Sequence, residues 1–569
     1  MTETVAPGRT VIARGRRGAV VAPHHLATEA GLRMLRAGGH AVDAAIAANA
    51  ALGVVMPNAC GLGGDAFWLI WEAGGGPGGG SVGPVGPRTG RQLALNGSGR
   101  SPGGADATQL RREGLGIMPV RGPRSVTIPG AVRSWGDAHR RFGRLPVSTI
   151  LAPAIELADG GFPAWGELID AIEGSAAHFA DALGSDAPFF AVYRPHGRPW
   201  HPGEVVRLPA LARTLENLAQ DGFDSFYEGE IGERQAKVLA ELGVACGPAD
   251  FRDHTSTWGE PIATTYRGVR LTSHPPNSSG VVALELLNIL ERFEPSSSSF
   301  RPGGLGDATW AHLAIEAAKL AMADRDAHLT DPEAAEIPVE RLLDKAHAAM
   351  LATLIDPRQA SVPRPATNPP GGGTAYLAAV DAEGNAVSLI QSNYLGFGSG
   401  VVDPETGVHY QNRGSYFSLD PDHPNVIAPG KRTLHTLMPC MLFREGEAGP
   451  WIVLGSMGGD AQPQIHAQFV SDVVDGGLDI AQAVASPRWS VEPRFHFDPP
   501  REVVIESGFE PSFYEDLAAM GHPLVPAGGF EGGIGHQHAI ELVDGGPAAP
   551  DGSIAAVTDP RSAGVPAVW

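Results

Sequence analysis

The sequence predicts an α+β fold, one layered body and not a string of separate domains. Three observations lead there. Apolar residues recur at helical spacing through the first two-thirds of the chain, as at Trp310, Leu313, Ala314, Ala317 and Ala321. Beyond residue 373 the character changes to short strand-like runs set off by turns: "TAYLAAV", "NAVSLIQS", "WIVLGS", "REVVIESG" and "HQHAIELV". Both halves are large, and 43% hydrophobic against 18% charged residues is ordinary for a chain with a substantial core.

In chain order, residues 24–55 read as two helices broken at Gly38-Gly39, the second with Val42, Ile46 and Ala50 at i, i+4, i+8. "WLIWEAGGGPGGGSVGPVGPRTGRQLALNGSG" reads as strand, low-complexity Gly/Pro loop, strand. Leu208–Gln220 and the following "DGFDSFYEGEIGERQAKVLAELG" read as helical, and "GEPIATTYRGVRLTSHPP" as paired strands. On the helix through Trp310, residues His312, Glu316 and Lys319 lie off the apolar stripe. "SVPRPATNPPGGG", residues 361–373, carries four prolines and three glycines without apolar periodicity and is the best linker.

Composition narrows function. With 42 basic and 63 acidic residues the net charge is −21, which disfavours nucleic acid and an anionic membrane surface as partners. Cys60, Cys246 and Cys440 form no CxxC pair, which fits a reducing compartment. The N-terminus has no apolar h-region and no run of 18 apolar residues occurs, so a cytoplasmic location is expected.

The glycines of the linker run straight into Thr374, which begins "TAYLAAVDAEGNAVSLIQS". A five-residue turn centred near Glu383 pairs residues whose numbers sum to 766, so Val380 faces Ala386 and Thr374 faces Ser392. One hydroxyl then stands beside another. A threonine hydroxyl needs an adjacent base, and a free α-amine with a pKa of about 7.7–8.0 can serve. Thr374 gains that amine only if the Gly373–Thr374 bond is cut. "GSMGGD", Gly455–Asp460, follows an apolar strand, and its paired glycines offer unhindered N–H groups for an oxyanion.

"GGHAVDAAIAANAALGVVMPNACGLGGDAF", "SVTIPGAV", "TYRGVRLTSHPPNSSG", "EAAKLAMADR", "TAYLAAVDAEGNAV", "APGKRTLHTLMP", "GSMGGD" and "TDPRS" occur here in the order found in γ-glutamyltransferases. The resemblance runs from about residue 16 to the C-terminus. It implies an N-terminal-nucleophile (Ntn) hydrolase: a four-layer αββα sandwich built jointly by a large piece, 1–373, and a small piece, 374–569, cut from one precursor. It also implies Thr374 as nucleophile, Ser392 as its hydrogen-bond partner, and Gly458 and Gly459 as the oxyanion pair.

The substrate positions depart from glutathione-specific members. Where those carry an Arg in a D-x-R-E-x-A-P pattern, this chain has Ser98, with Arg100 two positions on. The Ser-Ser pair of K-R-P-L-S-S-M becomes His435-Thr436, the ammonium-binding Asp becomes Tyr416, and a preceding Gln becomes Arg413. These changes resemble the amidohydrolase side of the family. They point to an oxamate- or glutaryl-like amide substrate, with a γ-glutamyl substrate or a non-catalytic binding role as alternatives. No cofactor and no metal are expected. His536 and His538 in "HQH" lack a third ligand at recognisable spacing and read as a strand with one side solvated. Cys60 reads as buried and unreactive, and "GLGGDAF" as tight packing near the active site. A small-molecule amide, the two pieces of the precursor, and a homo-oligomer of that pair are the expected partners.

Overall fold

The computed structural model describes residues 10–74, 90–296, 299–300, 306–361, 373–447, 449–492, 502–529 and 534–569. The Gly/Pro loop after Trp71 and all of the linker but Ser361 and Gly373 lie outside the described residues.

Two seven-stranded sheets form the centre of the molecule. In one, strand Gly373–Val380 lies between Ala19–Val21 and Ala386–Tyr394, followed by Asp65–Glu72, Arg91–Gly97 and Thr257–Gly259, with Ala567–Val568 at the other edge. In the second the order is Ala13–Gly15, Ser553–Val557, Gln537–Val543, Ile452–Ser456, Cys440–Phe443, Val269–Ser273, Ile262–Tyr266. Strands from both sides of residue 373 interleave in each sheet. Cutting the chain there would leave both sheets hydrogen-bonded across the break.

Alternation sorts the side chains into layers. Tyr376, Ala378, Val380, Ile390, Phe67 and Leu69 from the first sheet meet Leu437, Met441, Val453, Ile540 and Ala556 from the second in one core between the sheets. The opposite face of the first sheet, with Ala375, Leu377, Ala379 and Leu389, packs against helices that include His25–Arg36, Ala41–Val55, Val147–Gly160 and Pro209–Asp221. The outer face of the second sheet, with Leu271, Leu442, Ile452 and Leu454, packs against Gly280–Leu290, Ala308–His328, Gln462–Val474 and Ile480–Ala485. The order of layers is αββα, as expected. Being covered on both faces explains why strand Gly373–Val380 is buried at every position.

Two expectations need correction. His312 and Glu316, placed off the apolar stripe, are buried, because helix Ala308–His328 is covered on its far side by Pro511–Ala519 and by the loop carrying His522. His536 and His538 are both sealed, with His538 stacked on Tyr376 between the sheets, so neither side of that strand end is solvated. Among the described residues, no helix is long and apolar enough to cross a membrane.

Candidate active site

The hairpin register is the one the turn specifies: Thr374 pairs with Ser392 and Val380 with Ala386. Asp381 fixes the turn, its carboxylate accepting from the N–H groups of Glu383 and Asn385. Asp65, at the start of the next strand, pairs with Ser392. Thr374, Ser392 and Asp65 therefore form a row across three strands, on the face that looks between the sheets.

The hydroxyls are connected without slack. Thr374 Oγ1 lies 3.0 Å from Ser392 Oγ, which lies 2.6 Å from the Gly373 carbonyl and 2.7 Å from the Tyr394 N–H. The proton directions follow from what each group has to give. The Gly373 carbonyl can only accept and the Tyr394 amide can only donate, so Ser392 gives its single proton to Gly373 and accepts from Tyr394 and from Thr374. Thr374 Oγ1 and the carbonyl before it are joined through one hydroxyl.

Next to this network the pairing slips, Gly373 opposing Tyr394 and leaving Asn393 as the extra residue of a bulge. The bulge crowds Gly373. A Cβ there would stand 2.8 Å from Gly396 N, 2.9 Å from Tyr394 O and 3.0 Å from Asn58 O, all backbone atoms. Gly373→Ala is thus expected to push the Gly373 carbonyl off the Ser392 hydroxyl and to slow chain cleavage roughly a hundredfold, the scale of a 1 Å misplacement. A time course on a denaturing gel measures it.

Beyond the bulge the chain turns back along Asn393–Leu395, tied by Asn412 N–H to Asn393 O and Leu395 N–H to Asn412 Oδ1. This return brings in Arg413, 1% exposed, its guanidinium 4.3 Å from the Tyr394 ring centre and 5.1 Å from that of Tyr416. Its Nη1 donates to Thr436 Oγ1 at 3.3 Å, whereas Nε and Nη2 have no hydrogen-bond partner among the described residues. Burial lowers its pKa, with Tyr416, Tyr394, Asp65 and Asp460 opposing; a guanidinium stays charged regardless.

Asp65 accepts from Gly99 N–H at 2.7 Å and Gln411 Nε2 at 2.6 Å, and stands 3.1 Å from His435 Nε2. Burial pushes its carboxyl up to about 7 against those hydrogen bonds and Arg413, and burial together with Arg413 holds His435 well below the usual histidine range, so the ring is neutral. Ser98 is held by Asn96 and Asn277, beside this cluster. Arg100 is not brought to it. The strand ends at Gly97, so strand alternation no longer applies, and its guanidinium is taken by Glu333, the Gly430 carbonyl and Asp331.

Gly458 and Gly459 adopt φ of 144° and 56°, between strand Ile452–Ser456 and helix Gln462–Val474. Both lie in the region that favours glycine. The residue after them, Asp460, is 2.5 Å from Arg325 Nη1 and accepts from Tyr416 OH at 3.1 Å, which ties this strand-to-helix turn to the Tyr394–Arg413–Tyr416 stack. One of its oxygens, Oδ2, has no hydrogen-bond partner among the described residues. The sequence reading does not include Asp65 and Asp460 among the site residues, although each is an acid directly after a Gly-Gly pair, Asp65 opening an apolar strand and Asp460 following one. Cys60 is buried and its thiol is pushed up by burial, far from a thiolate.

Comparison with known proteins agrees over the whole length. The Gamma-glutamyltranspeptidase family matches residues 27–569. The chain is 37% identical to the "Glutathione hydrolase-like YwrD proenzyme" of Bacillus subtilis, covering 97% of this chain and 98% of the relative. It is 36% identical to the "Oxamate amidohydrolase proenzyme" of Klebsiella pneumoniae, with the same coverage. The crystal structure of cephalosporin acylase from Bacillus halodurans superposes with a TM-score of 0.88 at 35% identity, covering 100% of this chain and 99% of that one. By the family match, by relatives of more than a third identity along its length, and by its αββα fold, the chain belongs to the gamma-glutamyltranspeptidase family of Ntn hydrolases.

Proposed function

We propose that this protein is an autoprocessing amidohydrolase whose nucleophile is Thr374 and whose substrate is a small carboxylate- or oxo-bearing amide without an α-amino group. In the precursor, Thr374 Oγ1 attacks the Gly373 carbonyl carbon. Its proton passes to Ser392 as the Ser392 proton moves to the carbonyl oxygen; when the tetrahedral intermediate collapses, that proton goes on to the Thr374 nitrogen, the Gly373–Thr374 C–N bond breaks and an ester is left on Oγ1. Water then hydrolyses that ester, releasing the Gly373 carboxylate and the Thr374 α-amine. That amine becomes the base for turnover: it takes the Oγ1 proton as Oγ1 attacks the substrate amide, and delivers it to the leaving nitrogen. The N–H groups of Gly458 and Gly459 hold the oxyanion. Water releases the acyl group. The acyltransferase alternative replaces that water by an amine.

The observation that carries the substrate reading is Arg413. A sealed guanidinium with two idle donors, packed against two adjoining tyrosine rings, is a built receptor for a carboxylate or paired carbonyl oxygens. Among the described residues no acid forms an ion pair with Arg413, and the nearby Asp460 is engaged by Arg325. Likeness to an oxamate amidohydrolase and a cephalosporin acylase supports the reading. A second reading rests on Asp460: its unpartnered Oδ2 can accept an α-ammonium, which would make the enzyme a γ-glutamyl hydrolase with a relocated acid. Comparing kcat/KM for a γ-glutamyl anilide and its glutaryl analogue, with ammonia release from oxamate, separates the two.

Ser392 positions the nucleophile through the hydrogen bonds above. Ser392→Ala is expected to cost about 1–3 kcal/mol of stability by leaving Gly373 O and Tyr394 N–H unpaired. It should lower kcat roughly ten- to a hundredfold, the worth of one hydrogen bond to a charged group. KM should hold, since Ser392 touches the nucleophile and not the acyl group. Steady-state kinetics with a thermal melt measures both.

A further inference from the structure

On the outer face of the second sheet, three helices bring together three groups that no sequence spacing links. Glu285 comes from Gly280–Leu290, Asp324 from Ala308–His328 and His347 from Lys345–Ala352. One ligand atom from each lies within 4.8 Å of the others. His347 Nε2 is 2.8 Å from Asp324 Oδ2 and 3.4 Å from Glu285 Oε1. Donors around a tetrahedral divalent ion at bond lengths of about 2.0–2.2 Å stand roughly 3–3.5 Å apart, so small side-chain shifts complete the geometry.

The second observation is Glu285 itself. It is 1% exposed, and among the described residues neither of its carboxylate oxygens has a hydrogen-bond partner. A sealed carboxylic group with both oxygens idle, beside another acid, is costly to maintain and calls for a missing partner. Burial and the neighbouring Asp324 push it up to about 10, with Arg341 pulling the other way. Arg341 is also engaged by His328 Nε2 at 2.7 Å, at the rim of the cluster. The side chains of Asp324 and His347 keep 23% and 11% exposure, which leaves an entry path from solvent.

We infer that Glu285, Asp324 and His347 form a binding site for a divalent first-row cation of the zinc or manganese class, outside the active site, that ties the three helices to one another. One imidazole with two carboxylates is a donor set that both ions accept. Three protein donors leave positions for water. A second cluster, His312, Glu316 and His522, is less suited: its two rings are hydrogen-bonded to each other at 2.7 Å, and the Lys319 ammonium occupies Glu316 at 2.6 Å.

The test uses the full chain, dialysed against EDTA and titrated calorimetrically with ZnCl2 and with MnCl2. One equivalent of at least one ion should bind saturably and raise the melting temperature. Glu285→Gln, nearly isosteric, and His347→Ala, on a partly exposed residue, should each weaken that binding at least about tenfold, the scale lost when even an outer partner of a ligand is removed. Amide hydrolysis should be unchanged in both. Absence of saturable binding to the unmodified chain overturns the site, as does wild-type affinity in either variant, or loss of binding in His522→Ala alone.

Discussion

Thr374→Ala is expected to leave the chain as one intact polypeptide with no detectable amide hydrolysis. Both outcomes follow from a single oxygen. Thr374 Oγ1 is the one hydroxyl joined to the Gly373 carbonyl through Ser392, at 3.0 and then 2.6 Å. Its removal deletes the attacking atom for cleavage and for turnover alike, and residual rates without a nucleophile sit roughly 10⁶-fold below the complete machinery. Folding should survive, because the strand keeps its backbone ladder and loses one methyl and one hydroxyl. Thr374→Ser keeps the oxygen and should retain both reactions at reduced rate, since serine lacks the methyl group that locks the rotamer. An intact Thr374→Ser chain with full hydrolysis would separate the two reactions and contradict a shared nucleophile.

The next largest effect is expected at Arg413. For a glutaryl anilide, Arg413→Ala should lower kcat/KM by about 2–5 kcal/mol, the cost of leaving one partner of a buried charge pair alone. That is a factor of roughly 30 to 4,000. Arg413→Lys should recover only part of it, because an ammonium cannot present the planar pair of donors. In the unmodified enzyme the glutaryl compound should be cleaved at least about tenfold faster than its γ-glutamyl counterpart, since a site without a partner for a polar group rejects it strongly. A tenfold preference the other way would assign Asp460 to the α-ammonium and make the enzyme a γ-glutamyl hydrolase.

What was legible in the sequence was local. The Thr374–Ser392 pairing followed from a five-residue turn that Asp381 closes with its own carboxylate, so counting residues was enough. The breaks at Gly38-Gly39 and the layered fold followed from periodicity in the same way. Residues that enter through long-range pairing were not legible. Asp65 enters because its strand lies against that of Ser392; "GLGGDAF" reads as packing near the active site, but the pairing that sets its acid beside Ser392 is long-range and not written in that stretch. Asp460 sits with Arg325 and Tyr416 for the same reason. Arg100 shows the reverse error. Strand alternation was carried past Gly97, where the strand stops, and the side chain points to Glu333. His312 and Glu316 lie off the apolar stripe yet are buried, because helix periodicity cannot register a second layer packed over the first.

The central claim is that the bond before Thr374 breaks by the chain's own action. Intact-mass analysis of the freshly purified protein under denaturing conditions, with N-terminal sequencing of the smaller species, tests it most directly. The prediction is two polypeptides, residues 1–373 and 374–569, the smaller beginning Thr-Ala-Tyr-Leu, together with a single full-length mass for Thr374→Ala purified in the same way. A fully active enzyme that runs as one uncut chain, or a cut at any other bond, would contradict it.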